Sequence, residues 1–166
     1  MKSWAILIFI LFSYSVSLAQ EFRISTSVGV TRFDYFHSVD ASLQHKKWEL
    51  STGFAYGINR TYFQQRFFPK VQLRMGYDFI YKPKFELGPC IYTSFSWLKV
   101  NKASKYFTNW SEFFGGLSWS YGGKWKVGQT ITAGYFTESN FSTLIQKRDR
   151  VGNWGYFFNL QLIHVL

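Results

Sequence analysis

Three histidines, one cysteine and nine carboxylates are the stock from which this 166-residue chain could build acid–base, nucleophilic or metal chemistry. A serine nucleophile needs a histidine base within reach and a third group to orient that base. His37-Ser38, with Asp34 or Asp40 nearby, is the one local grouping of this kind. The two residues are adjacent in an alternating segment, so their side chains point to opposite faces. His45 stands beside Lys46 in another segment, and His164 lies near the end of the chain. A lone Cys90 excludes an intramolecular disulfide and a cysteine-based metal site. Scattered histidines make a poor ligand set for a metal, and no glycine-rich phosphate loop is present. The sequence therefore predicts no enzyme, no metal and no cofactor. A lipid-modifying enzyme using His37 and Ser38 is the catalytic alternative.

The segments that carry these residues alternate with a period of two. Apolar and polar side chains exchange along Phe22–Val30, Val39–Leu43, Trp48–Ile58, Val71–Tyr81, Phe85–Trp97, Phe113–Tyr121, Trp125–Tyr135 and Trp154–Leu162. That period assigns strands with two distinct faces. Several segments reach the roughly 9–11 residues that a tilted strand needs to cross a bilayer. Tight turns are expected at Lys46-Lys47, Lys82-Pro83-Lys84 and Gly122-Gly123-Lys124. Longer loops are expected over residues 60–69, 98–109 and 138–153, with a shorter one over 34–37. Short and long connections thus alternate along the chain, as they do where short turns face the periplasm and long loops face outward.

Composition agrees with a lipid-facing wall. Aromatic residues make up 22% of the chain and charged residues only 17%. A soluble domain has too small a core to hide so many rings, whereas a barrel in lipid displays them. Ahead of the strands, Lys2, the apolar run Trp4–Phe12 and the small residues Ser17-Leu18-Ala19 have the layout of a cleaved signal peptide. The expected organisation is a signal peptide over 1–19 and a barrel over 20–166. A soluble β-sandwich is the alternative architecture.

In this pattern of strands and connections, residues 21–166 resemble the small outer-membrane barrels of the OmpX and OmpA-transmembrane-domain type. The resemblance implies an all-β, eight-stranded, antiparallel, up-and-down transmembrane barrel in the outer membrane of a Gram-negative bacterium. It transfers no activity, because such barrels serve many.

Parity then sorts the side chains. Trp48, Tyr81, Trp97, Tyr121, Trp125 and Trp154 fall near strand ends on the outer face, where they would form interfacial girdles. Arg23, Asp40, Glu49, Arg74, Asp78, Glu86, Glu112, Lys126 and Glu138 carry inward parity and are expected to form a lumen charge network. Its excess of acids would suit a narrow cation-preferring pore. Arg60, Arg66, Lys70, Lys99, Lys102, Lys105, Lys147, Arg148 and Arg150 fall in or beside the expected outer loops. There they would engage the phosphates of lipopolysaccharide or another envelope protein. Tyr62, Phe63, Phe67, Phe68, Tyr106, Phe107, Trp110 and Phe141 are expected as exposed aromatics of the same loops. Nucleic acid is not an expected partner, since the cations are scattered over several loops of an exported chain. The sequence leaves three readings: a structural or interaction module, a narrow pore, and a lipid-modifying enzyme.

Overall fold

Every alternating segment is a strand in the computed structural model, which describes residues 21–32, 34–59, 67–101, 106–142 and 147–166. The expected signal peptide lies outside those residues. The strands are β1 (Glu21–Thr31), β2 (Asp34–His45), β3 (Trp48–Asn59), β4 (Phe67–Tyr77), β5 (Ile80–Lys82), β6 (Phe85–Asn101), β7 (Tyr106–Gly122), β8 (Trp125–Ser142) and β9 (Lys147–Val165). Apart from β4 and β5, chain neighbours pair antiparallel. β1 pairs with β9 from Arg23↔Val165 to Thr31↔Phe157, which closes the sheet. β4 pairs directly with β6, and the short β5 prolongs the same edge after a bend at Asp78-Phe79. The segments therefore make a closed barrel of eight staves, one of them bent.

The three tight turns fall where the sequence places them. Lys46 takes the left-handed conformation (φ 54°) that a two-residue hairpin turn requires. Gln44 Nε2 donates to its carbonyl at 2.9 Å. At this end, backbone bonds also join neighbouring hairpins. Asp78 N donates to Lys47 O (2.7 Å), Gly122 N to Lys84 O (3.0 Å) and Val165 N to Lys124 O (2.9 Å).

The opposite end differs from the sequence expectation. Within the expected loops 98–109 and 138–153, the described residues are strand. β6 continues to Asn101, β7 begins at Tyr106, β8 continues to Ser142 and β9 begins at Lys147. The ladder persists there, but the side chains no longer alternate in polarity. From Arg148 to Trp154 every residue is exposed. Without an apolar face, a strand loses the pattern that reveals it. The result is a lopsided barrel. β6 to β9 are 17 to 19 residues long, and β1 to β4 are 11 or 12. The taller side rises roughly 20 Å further along the strands.

Inward side chains fill the lumen, as a barrel of this strand number requires. Phe36, Phe68, Tyr92, Trp110, Phe114, Phe136 and Phe157 form its buried aromatic cluster. Two glycines make room for it. A Cβ at Gly29 would overlap the Phe36 ring, and one at Gly57 would overlap the Phe68 ring. Outward-facing Gly115 meets nothing within 4 Å. Gly57→Val is therefore expected to lower unfolding stability in detergent by about 1–3 kcal/mol through overpacking. Gly115→Val, the matched control, is expected to leave the urea midpoint in place.

Candidate functional site

The lumen charges form three tiers. Nearest the tight turns, Glu86 gathers two cations. Arg23 Nη2 lies 2.8 Å from Glu86 Oε1, and Lys126 Nζ lies 2.5 Å from the same oxygen. Ser120 Oγ donates to the other oxygen at 2.7 Å. Arg23 also reaches Glu21 at 2.6 Å. Asp78 is buried beside this tier and accepts from Gln44 Nε2 at 3.2 Å. In the middle, Arg74 Nη2 pairs with Glu49 at 2.7 Å, and its Nη1 donates to Thr130 at 3.1 Å. Asp40 accepts from Ser38 Oγ (2.7 Å) and Gln72 Nε2 (2.5 Å). Toward the tall end, Lys70 Nζ lies 2.8 Å from Glu112 and 3.4 Å from Asp34. Ser94 donates to Glu112, and Thr31 donates to Asp34. Half-buried Glu138 stands higher in β8 and accepts from Asn140 at 3.0 Å.

This geometry corrects three expectations. Lys70 is not a loop cation. It is 1% exposed and faces the lumen from β4. Phe68 and Trp110, expected as exposed loop rings, are buried in the lumen cluster. The reason is the same for each. β4 and β7 begin earlier than their apolar alternation shows, and inward parity extends through the added residues. Asp34 was read as part of a short loop and is fully buried. Its parity with Phe36, Ser38 and Asp40 was the available signal.

Above the middle tier, aromatic rings stack across the bore. Tyr92 lies 4.0 Å from Phe157, which lies 5.2 Å from Phe36, centroid to centroid. Trp110 meets Phe68 at 5.4 Å and Phe136 at 5.7 Å, edge to face. The Lys70 ammonium sits 5.3 Å over the Phe36 ring. Two small lumen cavities, lined in part by Asp40, Gln72 and Tyr92 and by Arg23, Glu49 and Glu86, have volumes near 10 Å³ each. That is room for one water apiece. Around these cavities the described lumen is packed with side chains.

The outer face is mostly apolar, and several of its polar side chains are paired. Thr52 and Thr93 donate to the carbonyls of Gln72 and Glu112 on neighbouring strands, at 3.3 and 2.9 Å. Trp119 Nε1 donates to Gln129 Oε1 at 2.9 Å. Hydrocarbon demands such pairing, because it offers no substitute for water. Trp48, Tyr81, Tyr121 and Trp125 stand exposed at the tight-turn end, and Trp97 and Trp154 toward the tall end. Trp48 packs edge-on to Tyr77 at 4.9 Å, and Trp125 lies 4.3 Å from the ring of His164.

The barrel wall separates the candidate catalytic pair. His37 faces outward with Nε2 at 3.0 Å from Thr26 Oγ1. Ser38 faces inward and is 1% exposed. Among the described residues, no three His, Cys, Asp or Glu side chains are grouped to hold a metal ion. Of the expected loop cations, Arg60, Arg66, Lys102 and Lys105 lie outside the described residues, as do the aromatics Tyr62 and Phe63. The backbones of Lys99 and Lys147 belong to β6 and β9. Arg148 and Arg150 are exposed on β9. Exposed Arg32, which the sequence reading passed over, donates from Nη1 to the carbonyl of Trp154 at 2.8 Å. Removing one partner from a buried ion cluster is costly, because the remaining charges stay desolvated. Lys70→Met leaves Asp34 and Glu112 facing each other and is expected to cost about 3–5 kcal/mol in urea unfolding. Adding Asp34→Asn and Glu112→Gln is expected to restore most of that loss.

No protein-family model matches this sequence. No curated protein matches it either. Solved structures do. The chain is similar to a major outer membrane protein from Thermus thermophilus, with 11% identity over 88% of this chain and 99% of that one and a TM-score of 0.45. It is also similar to Neisserial surface protein A, with 10% identity over 87% of this chain and 95% of that one and a TM-score of 0.48. At these identities the likeness is one of fold.

Proposed function

We propose that this chain is a non-enzymatic outer-membrane barrel, a structural or interaction module whose tall rim engages lipopolysaccharide. One observation carries the reading. Along the outer parity of β9, Arg148 and Arg150 come first, then Trp154 and Tyr156, then Phe158, Leu160 and Leu162. Cation, aromatic and aliphatic side chains succeed one another in the order of phosphate, interface and hydrocarbon in a leaflet. Arg150 stands roughly 13 Å beyond Trp154 along the strand. Its neighbour Arg148 lies 5.9 Å from the centroid of the Phe141 ring. Guanidinium groups suit phosphate because their planar forks donate two parallel hydrogen bonds.

The packed lumen argues against the pore, and the wall between His37 and Ser38 argues against the enzyme. A partner protein is the second reading. It is favoured by the stretch Arg148–Trp154, which is exposed on both faces where β9 rises past its pairing with β1.

The test is native mass spectrometry of the purified barrel mixed with lipid A, with its phosphates intact or removed. Wild type is expected to retain only the phosphorylated form. Arg148→Gln/Arg150→Gln is expected to retain it roughly thirtyfold less, at roughly 1 kcal/mol per surface charge. Equal retention by that variant, or of the dephosphorylated lipid, would sink the proposal. In planar bilayers the protein is expected to give no steady conductance. Stable channels would return the pore reading.

A further inference from the structure

The tight turns at the other end raise a separate question. Each carries lysine: Lys46 and Lys47, Lys82 and Lys84, and Lys124. All five are exposed. Three of them are chain neighbours of a girdle aromatic, in Lys47-Trp48, Tyr81-Lys82 and Lys124-Trp125. We propose that this lysine ring binds the anionic phosphate headgroups of phospholipids in the leaflet that contacts the tight-turn end. With the barrel oriented as proposed above, on which this inference rests, that is the inner leaflet of the outer membrane.

Depth is the first argument. Trp and Tyr settle at headgroup level. A lysine next to them places its ammonium at the same level, because its long stem lies along apolar surface while its charge seeks polar surroundings. A cell-wall polymer or an acidic periplasmic protein would meet the barrel further out, beyond the girdle.

Charge is the second argument. The side-chain carboxylates at this end are committed elsewhere. Glu21 and Glu86 bind Arg23, and Glu86 also binds Lys126. Asp78 is buried and accepts from Gln44. Among the described residues, Lys47, Lys82, Lys84 and Lys124 have no carboxylate within ion-pair distance. Their charge is left for an external anion.

Preorganisation is the third. The carbonyls of Lys47, Lys84 and Lys124 each accept a backbone hydrogen bond from an adjacent segment. The turns are therefore tied into one rim at fixed spacing, and only the flexible stems need ordering when a phosphate arrives.

The experiment uses the full folded barrel in nanodiscs of mixed phosphatidylglycerol and phosphatidylcholine. Lipids that stay with the protein after release are counted by native mass spectrometry. Wild type is expected to be enriched in phosphatidylglycerol over the bulk mixture, with enrichment falling at high salt. Lys47→Gln/Lys82→Gln/Lys84→Gln/Lys124→Gln is expected to lose it, returning the lipid ratio to that of the bulk mixture. Arg148→Gln/Arg150→Gln, at the opposite rim, is expected to keep it while losing lipid A, which separates this inference from the lipopolysaccharide reading. A heat-modifiable gel band checks that each variant is folded. If the fourfold variant does not fold, Lys82→Gln/Lys84→Gln on a single turn is expected to give a partial loss. Wild type without enrichment, or a folded variant that keeps it, would overturn the proposal. So would lysine-dependent capture of peptidoglycan by protein in phosphatidylcholine alone, since it would assign the rim to the cell wall.

Discussion

Hydrocarbon cannot hydrogen-bond a peptide group, so a sheet in lipid must have no edge. Here the first strand finds the last, and the ladder between Arg23↔Val165 and Thr31↔Phe157 removes the edge that β1 and β9 would otherwise present. Much of the remaining structure follows from that closure. A barrel of this size has a bore that side chains nearly fill. Whatever points inward is therefore desolvated, and every inward charge must find a partner within a few ångströms. The three tiers around Glu86, Glu49 and Glu112 meet that demand, with hydroxyls and amides taking up further lone pairs. Burial makes such pairs poor sources of net stability and severe sources of loss when broken. They fix which residues may stand opposite one another.

Closure also moves function away from the interior. The stacked rings of Phe36, Tyr92 and Phe157 occupy the bore, and Gly29 and Gly57 supply the space two of the inward rings need. The two described lumen cavities have room for one water each. What remains accessible is the lipid-facing wall and the two rims. The wall is uniform by necessity, since lipid accepts only satisfied or apolar groups. The rims carry no such constraint, and they are where the barrel departs from symmetry.

The sequence made the wall legible because lipid and lumen impose opposite demands on alternate residues. Strand order, the three tight turns and the outward parity of Trp48, Tyr81 and Trp125 all follow from that contrast. Legibility failed where the contrast failed. Beyond the girdle both faces of a strand meet water, so Arg148 to Trp154 resembles a loop although its ladder with β8 continues. Lys70 and Asp34 were missed for a related reason. A charge near the end of an alternating run suggests a loop, whereas continued parity places both in the lumen. Pairing was harder still to read. Nothing in the spacing of residues 34, 70 and 112 shows that they meet, because register between non-adjacent staves is set only when the barrel closes.

The distribution of charge completes the argument. The described lumen holds the carboxylates Asp34, Asp40, Glu49, Asp78, Glu86 and Glu112 against the cations Arg23, Lys70, Arg74 and Lys126. Its interior is thus richer in acids than in bases, although the chain as a whole carries a formal charge of +10. The positive excess lies outside the lumen, and among the described residues it stands at both ends, on Arg32, Arg148 and Arg150 and on the lysines of the tight turns. Interior charges are paired or hydrogen-bonded because desolvation requires it. Rim charges are free of that requirement, and repulsion among like charges would disfavour crowding them without an anion nearby. A membrane supplies anions at both surfaces. With the rims oriented as proposed, the same bilayer that forces the sheet to close would also set anions beside both of them.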